Sequence, residues 1–117
     1  MSQSWTLTVP FPPSVNTIFA NIPGKGRIKT KAYRQWLNDA GWHLKSQKLP
    51  PQPIEGDTIF NIKFPSGFRA GDLDNRLKAL LDLLVNMRVI TDDSFIVDLR
   101  VRWAEVEACT VEIRSAK

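Results

Sequence analysis

Apolar and polar residues alternate along four stretches of the chain, which is the pattern of strands that bury one face. These stretches are residues 4–10, 57–65, 95–103 and 108–115. In the second stretch, Ile59 is expected to share the buried face with Ile62 and Phe64. Phe60 falls out of phase with these three residues and is expected on the opposite face.

Two other stretches have the period of a helix, residues 31–47 and the run from about Asp74 to Asn86. Thr30 is the predicted N-cap of the first helix. The glycine-flanked segment 21–30 between the first strand and this helix is typical of an exposed hairpin or arm. The resulting order is strand, helix, strand, helix, strand, strand. It predicts one α+β domain over residues 1–117, with a mixed sheet of about four strands packed against two helices.

The length of 117 residues suits a single domain. Cys109 is the only cysteine, so no internal disulfide is possible, and its apolar surroundings indicate a small buried side chain. No apolar stretch approaches the roughly 20 residues that span a bilayer. The N-terminus also lacks the basic and then apolar order of a signal peptide, so a cytoplasmic protein is expected.

Charge is unevenly distributed along the chain, which has a net charge of +4. Five cations and no acid lie in residues 24–34, whereas acids are concentrated between Asp72 and Asp98. A basic segment favours a polyanionic partner, because contacts to phosphates release counterions. The same distribution is equally typical of an ordinary solvated surface.

The stretch AGDLDNRLKALLDLL (70–84) places acids and a lysine in a leucine-rich helix. On a regular helix Asp74, Lys78 and Asp82 lie within about 80° of one another, beside the leucine face. Asp72 precedes Asp74 by two residues, so in an extended entry segment both carboxylates point the same way. The simpler interpretation is a helix cap together with a surface ion pair between Asp74 and Lys78.

A second acidic pair, Asp92 and Asp93, follows the helix in a turn before the next strand. If the two pairs meet, a divalent cation would offset their mutual repulsion, and hard cations prefer carboxylate oxygens. Lys78 would then neutralise charge at a phosphodiester. His43, the only histidine, is not expected to be a ligand.

Four motifs of the chain are similar to those of one known family. They are VPFPPSVN (9–16), KAYRQW (31–36), DLDNRLKALLDLL (72–84) and ITDDSFIVDLRV (90–101). In their order and spacing the sequence resembles the RusA family of Holliday-junction resolvases, small endonucleases that phages and prophages often carry.

The resemblance implies a homodimer that binds four-way DNA junctions and makes paired, symmetrical nicks with Mg²⁺, for which Mn²⁺ can substitute. By position, the family's catalytic residues correspond to Asp72, Asp74, Asp93 and Lys78, and the three acids are the implied metal ligands. Supporting roles fall to Asn75, Asp82 and Asp92, and the choice between Asp92 and Asp93 as ligand stays open.

The chain departs from the family pattern just before the first acid, where SGFRAG (66–71) replaces a run of arginines. Phe68 either stacks on an unpaired base or belongs to the core. Candidate DNA contacts are Lys25, Arg27, Lys29, Lys31, Phe68, Arg69 and Arg76. The alternatives to junction resolution are a nuclease with broader selectivity for branched DNA and a junction-binding protein without catalysis.

Overall fold

The computed structural model describes residues 3–69 and 71–116, and the remaining four positions of the predicted domain, which include Ala70 of the loop before Asp72, lie outside this description. In the described residues the order is three strands, a helix, a strand, a helix and two strands, with short 3-10 turns between some of them. This is the predicted order of four strands and two helices, with the two strands of the hairpin added after the first strand. The strands and helices are β1 (Ser4–Val9), β2 (Phe19–Ile22), β3 (Gly26–Lys29), α1 (Lys31–Lys45), β4 (Thr58–Pro65), α2 (Leu77–Asn86), β5 (Ile96–Ala104) and β6 (Cys109–Ser115).

A mixed four-stranded sheet forms the centre of the fold, in the order β1-β6-β4-β5. β6 is antiparallel to both of its neighbours, whereas β4 and β5 run parallel because α2 connects them as a crossover. β2 and β3 form a separate antiparallel hairpin over residues 19–29, so of the two alternatives predicted for residues 21–30, a hairpin or an arm, the structure shows the hairpin. The predicted α+β class, with a mixed sheet of four strands and two helices, is confirmed.

One face of the sheet packs against both helices and forms the core. In β4 the buried side chains on this face are Phe60, Ile62 and Phe64, each with no exposed surface. The predicted phase of this strand was therefore wrong at its start, since Ile59 lies on the other face. The reason is that β4 keeps a strict two-residue period from Thr58 to Phe64, so Ile59, three residues before Ile62, points to the opposite face.

The first helix begins as predicted. The hydroxyl oxygen of Thr30 accepts a hydrogen bond from the backbone N–H of Tyr33 at 3.2 Å, which satisfies one of the free donors of the first turn. The helix buries Tyr33, Ala40 and Leu44. Tyr33 packs with Ile18, which precedes the hairpin, so α1 holds the hairpin beside α2.

The second helix begins later than predicted. Residues Leu73–Arg76 form a 3-10 turn, and the α-helix starts at Leu77 rather than near Asp74. Short polar side chains such as those of Asp74 and Asn75 favour turns over helix interiors, and 3-10 turns are common at helix starts. The angular position predicted for Asp74 on a regular α-helix was therefore wrong.

Cys109 is fully buried in β6, as predicted. Burial raises the pKa of its thiol to about 12, so the thiol stays protonated at neutral pH and behaves as a small apolar group. In the described part of the chain, neither helix combines the length and the apolarity that crossing a membrane requires.

Candidate active site

The first acidic pair lies where the chain enters the 3-10 turn before α2. Gly71 has a φ of +71°, a left-handed conformation that glycine adopts without strain, and it leads into Asp72 in extended backbone. The backbone N–H of Asn75 donates to the carbonyl oxygen of Asp72 at 3.2 Å and closes the turn. This geometry presents Asp72 and Asp74 at one pocket whose apolar wall contains Leu99.

Both of these carboxylates are exposed, and in the described ranges neither forms a hydrogen bond or an ion pair. Asp72 occupies the N-cap position of the 3-10 turn, but its side chain accepts no capping hydrogen bond. Asp74 does not pair with Lys78. The simpler interpretation of the motif, a cap and a surface ion pair, is thus not what the structure shows, and both side chains keep their oxygens available.

Lys78 instead pairs with the next acid along α2. Its Nζ atom lies 3.2 Å from Oδ2 of Asp82, one helical turn away. The same oxygen accepts a hydrogen bond from the hydroxyl of Tyr33 at 3.3 Å, so Asp82 joins α2 to α1. Burial, together with the negative charge of Asp82, raises the pKa of Tyr33 to about 12, and the phenol therefore remains a donor at neutral pH.

The second acidic pair lies in the turn between α2 and β5. The carboxylate of Asp92 accepts a hydrogen bond from the hydroxyl of Ser94. This bond, with smaller contributions from the neighbouring amides and Asp93, holds the pKa of Asp92 below its ordinary value. The carboxylate of Asp92 is therefore engaged in a hydrogen bond within its own turn.

Asp92 and Asp93 line a second pocket, together with Lys29, Tyr33 and Asp82. The structure thus distributes the predicted acids over two pockets, with Asp72 and Asp74 in one and the other three in the second. Within residues 3–69 and 71–116, no group of three or more acids, histidines or cysteines is placed to hold a metal ion together. Each pocket nevertheless presents at least two carboxylates.

An aromatic stack stands in the segment before the first acidic pair. Phe68 lies parallel to Phe11 with 5.3 Å between ring centroids, and 57% of its surface is exposed. Phe11 also contacts the guanidinium of Arg76, whose Cζ atom is 4.8 Å from the ring centroid. Phe68 is therefore a surface aromatic residue supported from one side, and Arg69 beside it is exposed.

Arg76, one of the predicted DNA contacts, is held within the chain. Its Nη1 atom donates to the carbonyl oxygen of Pro12 at 3.0 Å. Its Nε atom is buried and has no hydrogen-bond partner among the described residues. Arg76 thus fastens the proline-rich loop to the 3-10 turn that holds Asp74.

The predicted basic contacts on the hairpin and at the start of α1, Lys25, Arg27, Lys29 and Lys31, are all exposed. Arg27 stacks over Phe19 at 3.9 Å from Cζ to the ring centroid, which directs its charge along the hairpin. Lys29 reaches the second acidic pocket. His43 contacts Thr8, with 3.1 Å between Nε2 and Oγ1, and does not line either acidic pocket.

The sequence analysis missed two residues at these sites. Tyr33 was included only as a position of the first helix and of the KAYRQW motif, yet its hydroxyl donates to an acid 49 positions away. Phe11 was included only as a position of the VPFPPSVN motif, yet its ring stacks on Phe68. The aromatic character of both was visible, but contacts over such separations depend on how the helices pack.

These features define a class of protein, a small basic α+β domain that presents exposed paired carboxylates beside a cationic hairpin. The family model described as Endodeoxyribonuclease RusA matches residues 10–114. The chain therefore belongs to the RusA family of endodeoxyribonucleases, as its motifs predicted. No curated protein matches the chain.

Proposed function

We propose that the protein is a structure-selective endodeoxyribonuclease that resolves four-way DNA junctions in recombination and repair. The observation that carries this proposal is the pair of exposed, unpartnered carboxylates of Asp72 and Asp74, inside a family match that spans almost the whole chain. Unpartnered acids on one pocket are costly to keep close together, unless a cation offsets their charge.

The donor set of this pocket fits Mg²⁺. Magnesium ions are bound in many phosphate-processing sites by one or two carboxylates together with water and substrate phosphate, so a third protein ligand is not required. Asp72 and Asp74 would hold the ion, with Mn²⁺ as a substitute. The bound ion would supply charge neutralisation and an activated water at the scissile phosphate.

The remaining motif residues act around this pair. Lys78, half-exposed and held by Asp82, places a cation one turn from the pocket, where it stabilises charge developing on the phosphate. Asp93 lines the second pocket rather than the pocket of Asp72 and Asp74. Of the second acidic pair it is the acid proposed to contribute to catalysis, because the Asp92 carboxylate already accepts a hydrogen bond from Ser94. Asp82 has a positioning role, since it orients Lys78 and accepts the hydrogen bond from Tyr33.

The proposal includes a homodimer. Paired, symmetrical nicks in two DNA strands of a junction require two active sites that are related by symmetry. Two-fold dimers are the commonest oligomers. The cytoplasmic location stays a prediction.

The decisive experiment incubates the purified protein with a labelled four-way junction, with and without Mg²⁺. Paired, symmetrical nicks that depend on the metal support the proposal. Cuts on flaps and forks at similar rates would instead indicate a nuclease of broader selectivity. Binding without cleavage under all metal conditions would indicate a non-catalytic junction-binding protein.

The basic hairpin gives a separate prediction about DNA affinity. Replacing Lys25 and Arg27 with glutamine is expected to weaken junction binding and to lower the slope of log K against log salt concentration by about 2, since each lost phosphate contact removes roughly one unit. Lys29 is left unchanged in this variant because it also lines an acidic pocket. The measurement is a binding titration over a series of salt concentrations.

The matched control replaces Lys45 and Lys48, two exposed cations at the other end of α1, with glutamine. The fourteen steps of helix from Lys31 place Lys45 roughly 21 Å from the start of α1. An equal change of slope in both variants would show that the hairpin has no special contact with DNA.

A further inference from the structure

The two edge strands of the central sheet, β1 and β5, differ in whether a side chain covers their outer backbone groups. At one edge, the side chain of Gln47 pairs with the backbone of β1 as a neighbouring strand would. Its Oε1 atom accepts from the N–H of Thr8 at 2.7 Å, and its Nε2 atom donates to the carbonyl oxygen of Thr8 at 2.7 Å. This contact blocks the edge of β1 against pairing with another chain.

The other edge has no such cover. β5 is the last strand in the sheet order, is nine residues long, and pairs along one side with β4. No described backbone group outside β4 pairs with the middle of this strand. A long edge strand without a blocking device is a template for pairing with a further strand.

Apolar side chains cluster along this same edge. Phe95, Val97 and Leu99 are 40%, 56% and 41% exposed, which makes them three of the most exposed large hydrophobic side chains described. Leu99 lies on the face of the sheet that the helices cover, because its register partner Phe60 is fully buried. Several exposed large apolar side chains along one edge of a small domain are typical of a protein–protein contact.

The charges of β5 favour a second copy of the same chain as the occupant. Asp98 and Arg100 alternate with the apolar residues on the opposite face, and they lie 3.8 Å apart between Oδ1 and Nε. In an antiparallel pair of identical strands, a two-fold axis at Leu99 places each Asp98 opposite Arg100 of the other strand. Two attractive cross-strand pairs result.

Other registers lack this complementarity. In an antiparallel pair, residues that lie directly opposite each other point to the same face of the sheet. The apolar side chains of the two copies therefore lie on one common face only when the two-fold axis passes through a residue position and not between two residues. An axis at Asp98 or Arg100 places like charges directly opposite each other. An axis at Val101 brings arginines together, and an axis at Val97 forms no charge pair.

We propose that β5 is the homodimer interface, in which the strand pairs antiparallel with β5 of a second copy about a two-fold axis at Leu99. The two four-stranded sheets then join into one continuous sheet. The exposed backbone edge becomes hydrogen-bonded, and the apolar side chains of the two strands cover each other.

This interface also brings the two active sites together, a consequence that rests on the proposed function. Leu99 forms part of the wall of the pocket that holds Asp72 and Asp74. With Leu99 on the axis, the two pockets flank the symmetry axis on the same face of the joined sheet. The partner strand continues the wall of each pocket.

The test uses two charge variants, alone and mixed, in the absence of DNA and metal. Asp98→Arg and Arg100→Glu each turn both attractive pairs into repulsive ones, so each is expected to dimerise about tenfold or more weakly than the unaltered protein. In an equimolar mixture, arginines of one variant face acids of the other, and a heterodimer is expected to form. Sedimentation velocity measures the mass of each sample.

Circular dichroism establishes that each variant is folded, and Arg114→Glu provides the matched control on the same open face, in the interior strand β6. This control is expected to dimerise normally. Leu99→Lys, a change at an exposed position on the axis, provides a second variant that is expected to be monomeric.

Single variants that dimerise as well as the unaltered protein, or a mixture that stays monomeric, would overturn the proposed interface, as would an unaltered protein that is itself monomeric. None of these results depends on cleavage. A dimer with this interface that fails to cut junctions would contradict the proposed function alone.

Discussion

Asp74→Asn is expected to lower the rate of junction cleavage by at least about 10²-fold while junction binding stays nearly unchanged. The substitution keeps the shape of the side chain but removes one of the two negative charges that would hold Mg²⁺. Metal stabilisation of a phosphoryl transition state is worth several kcal/mol, and each 1.4 kcal/mol changes a rate about tenfold. Single-turnover cleavage and a binding titration with the same junction measure the two quantities.

The matched control is Asp39→Asn, the same change at an exposed acid on α1 whose carboxylate accepts a hydrogen bond from Gln35. This variant is expected to cleave normally. Full cleavage by Asp74→Asn would remove this residue from the active site. Equal loss of binding and cleavage would indicate that Asp74 contributes to DNA affinity or to folding instead.

Phe60→Ala is expected to lower the free energy of unfolding by about 3–5 kcal/mol, because it leaves a cavity in the middle of the core. Phe60 has no exposed surface and belongs to the strand that both β5 and β6 flank. A loss of this size is a large part of the 5–15 kcal/mol that is typical of a whole domain. Urea denaturation followed by tryptophan fluorescence measures the change.

Phe68→Ala is the matched control, since the same atoms are removed from a side chain that is mostly exposed. Its expected cost is about 1 kcal/mol, the middle of the range for an aromatic pair, from the lost stack on Phe11. If both variants lose the same stability, the assignment of Phe60 to the core face is wrong.

The local chemistry of the chain is sufficient to predict its elements. The alternating stretches became β1, β4, β5 and β6, because period-two patterns bury one face only when extended. Thr30 caps α1 as its hydroxyl group predicts, and the glycine-flanked basic segment forms a hairpin. Cys109 is buried, as an apolar neighbourhood implies. Family membership was also visible from the motifs.

The sequence named the acids of the candidate site, but it did not predict that they line two separate pockets. Asp72 and Asp74 lie at one pocket, because two positions in an entry segment are close along the chain. Their relation to Asp93 depends on the length of α2 and the turn after it, and the structure assigns Asp93 to a different pocket. Lys78 pairs with Asp82 and not with Asp74. The α-helix begins only at Leu77, so Asp74 does not lie one α-helical turn before Lys78.

The sequence by itself thus determined the fold class, the strands, the helices and the identity of the acidic motif, because these depend on neighbours within a few residues. Tertiary structure alone decided that Tyr33 binds Asp82, and that Gln47 covers one sheet edge while β5 stays open. These outcomes depend on contacts between residues about 35 to 50 positions apart. Such contacts form only when packing brings the helices and strands together, and the local hydrophobic pattern of the sequence does not predict them.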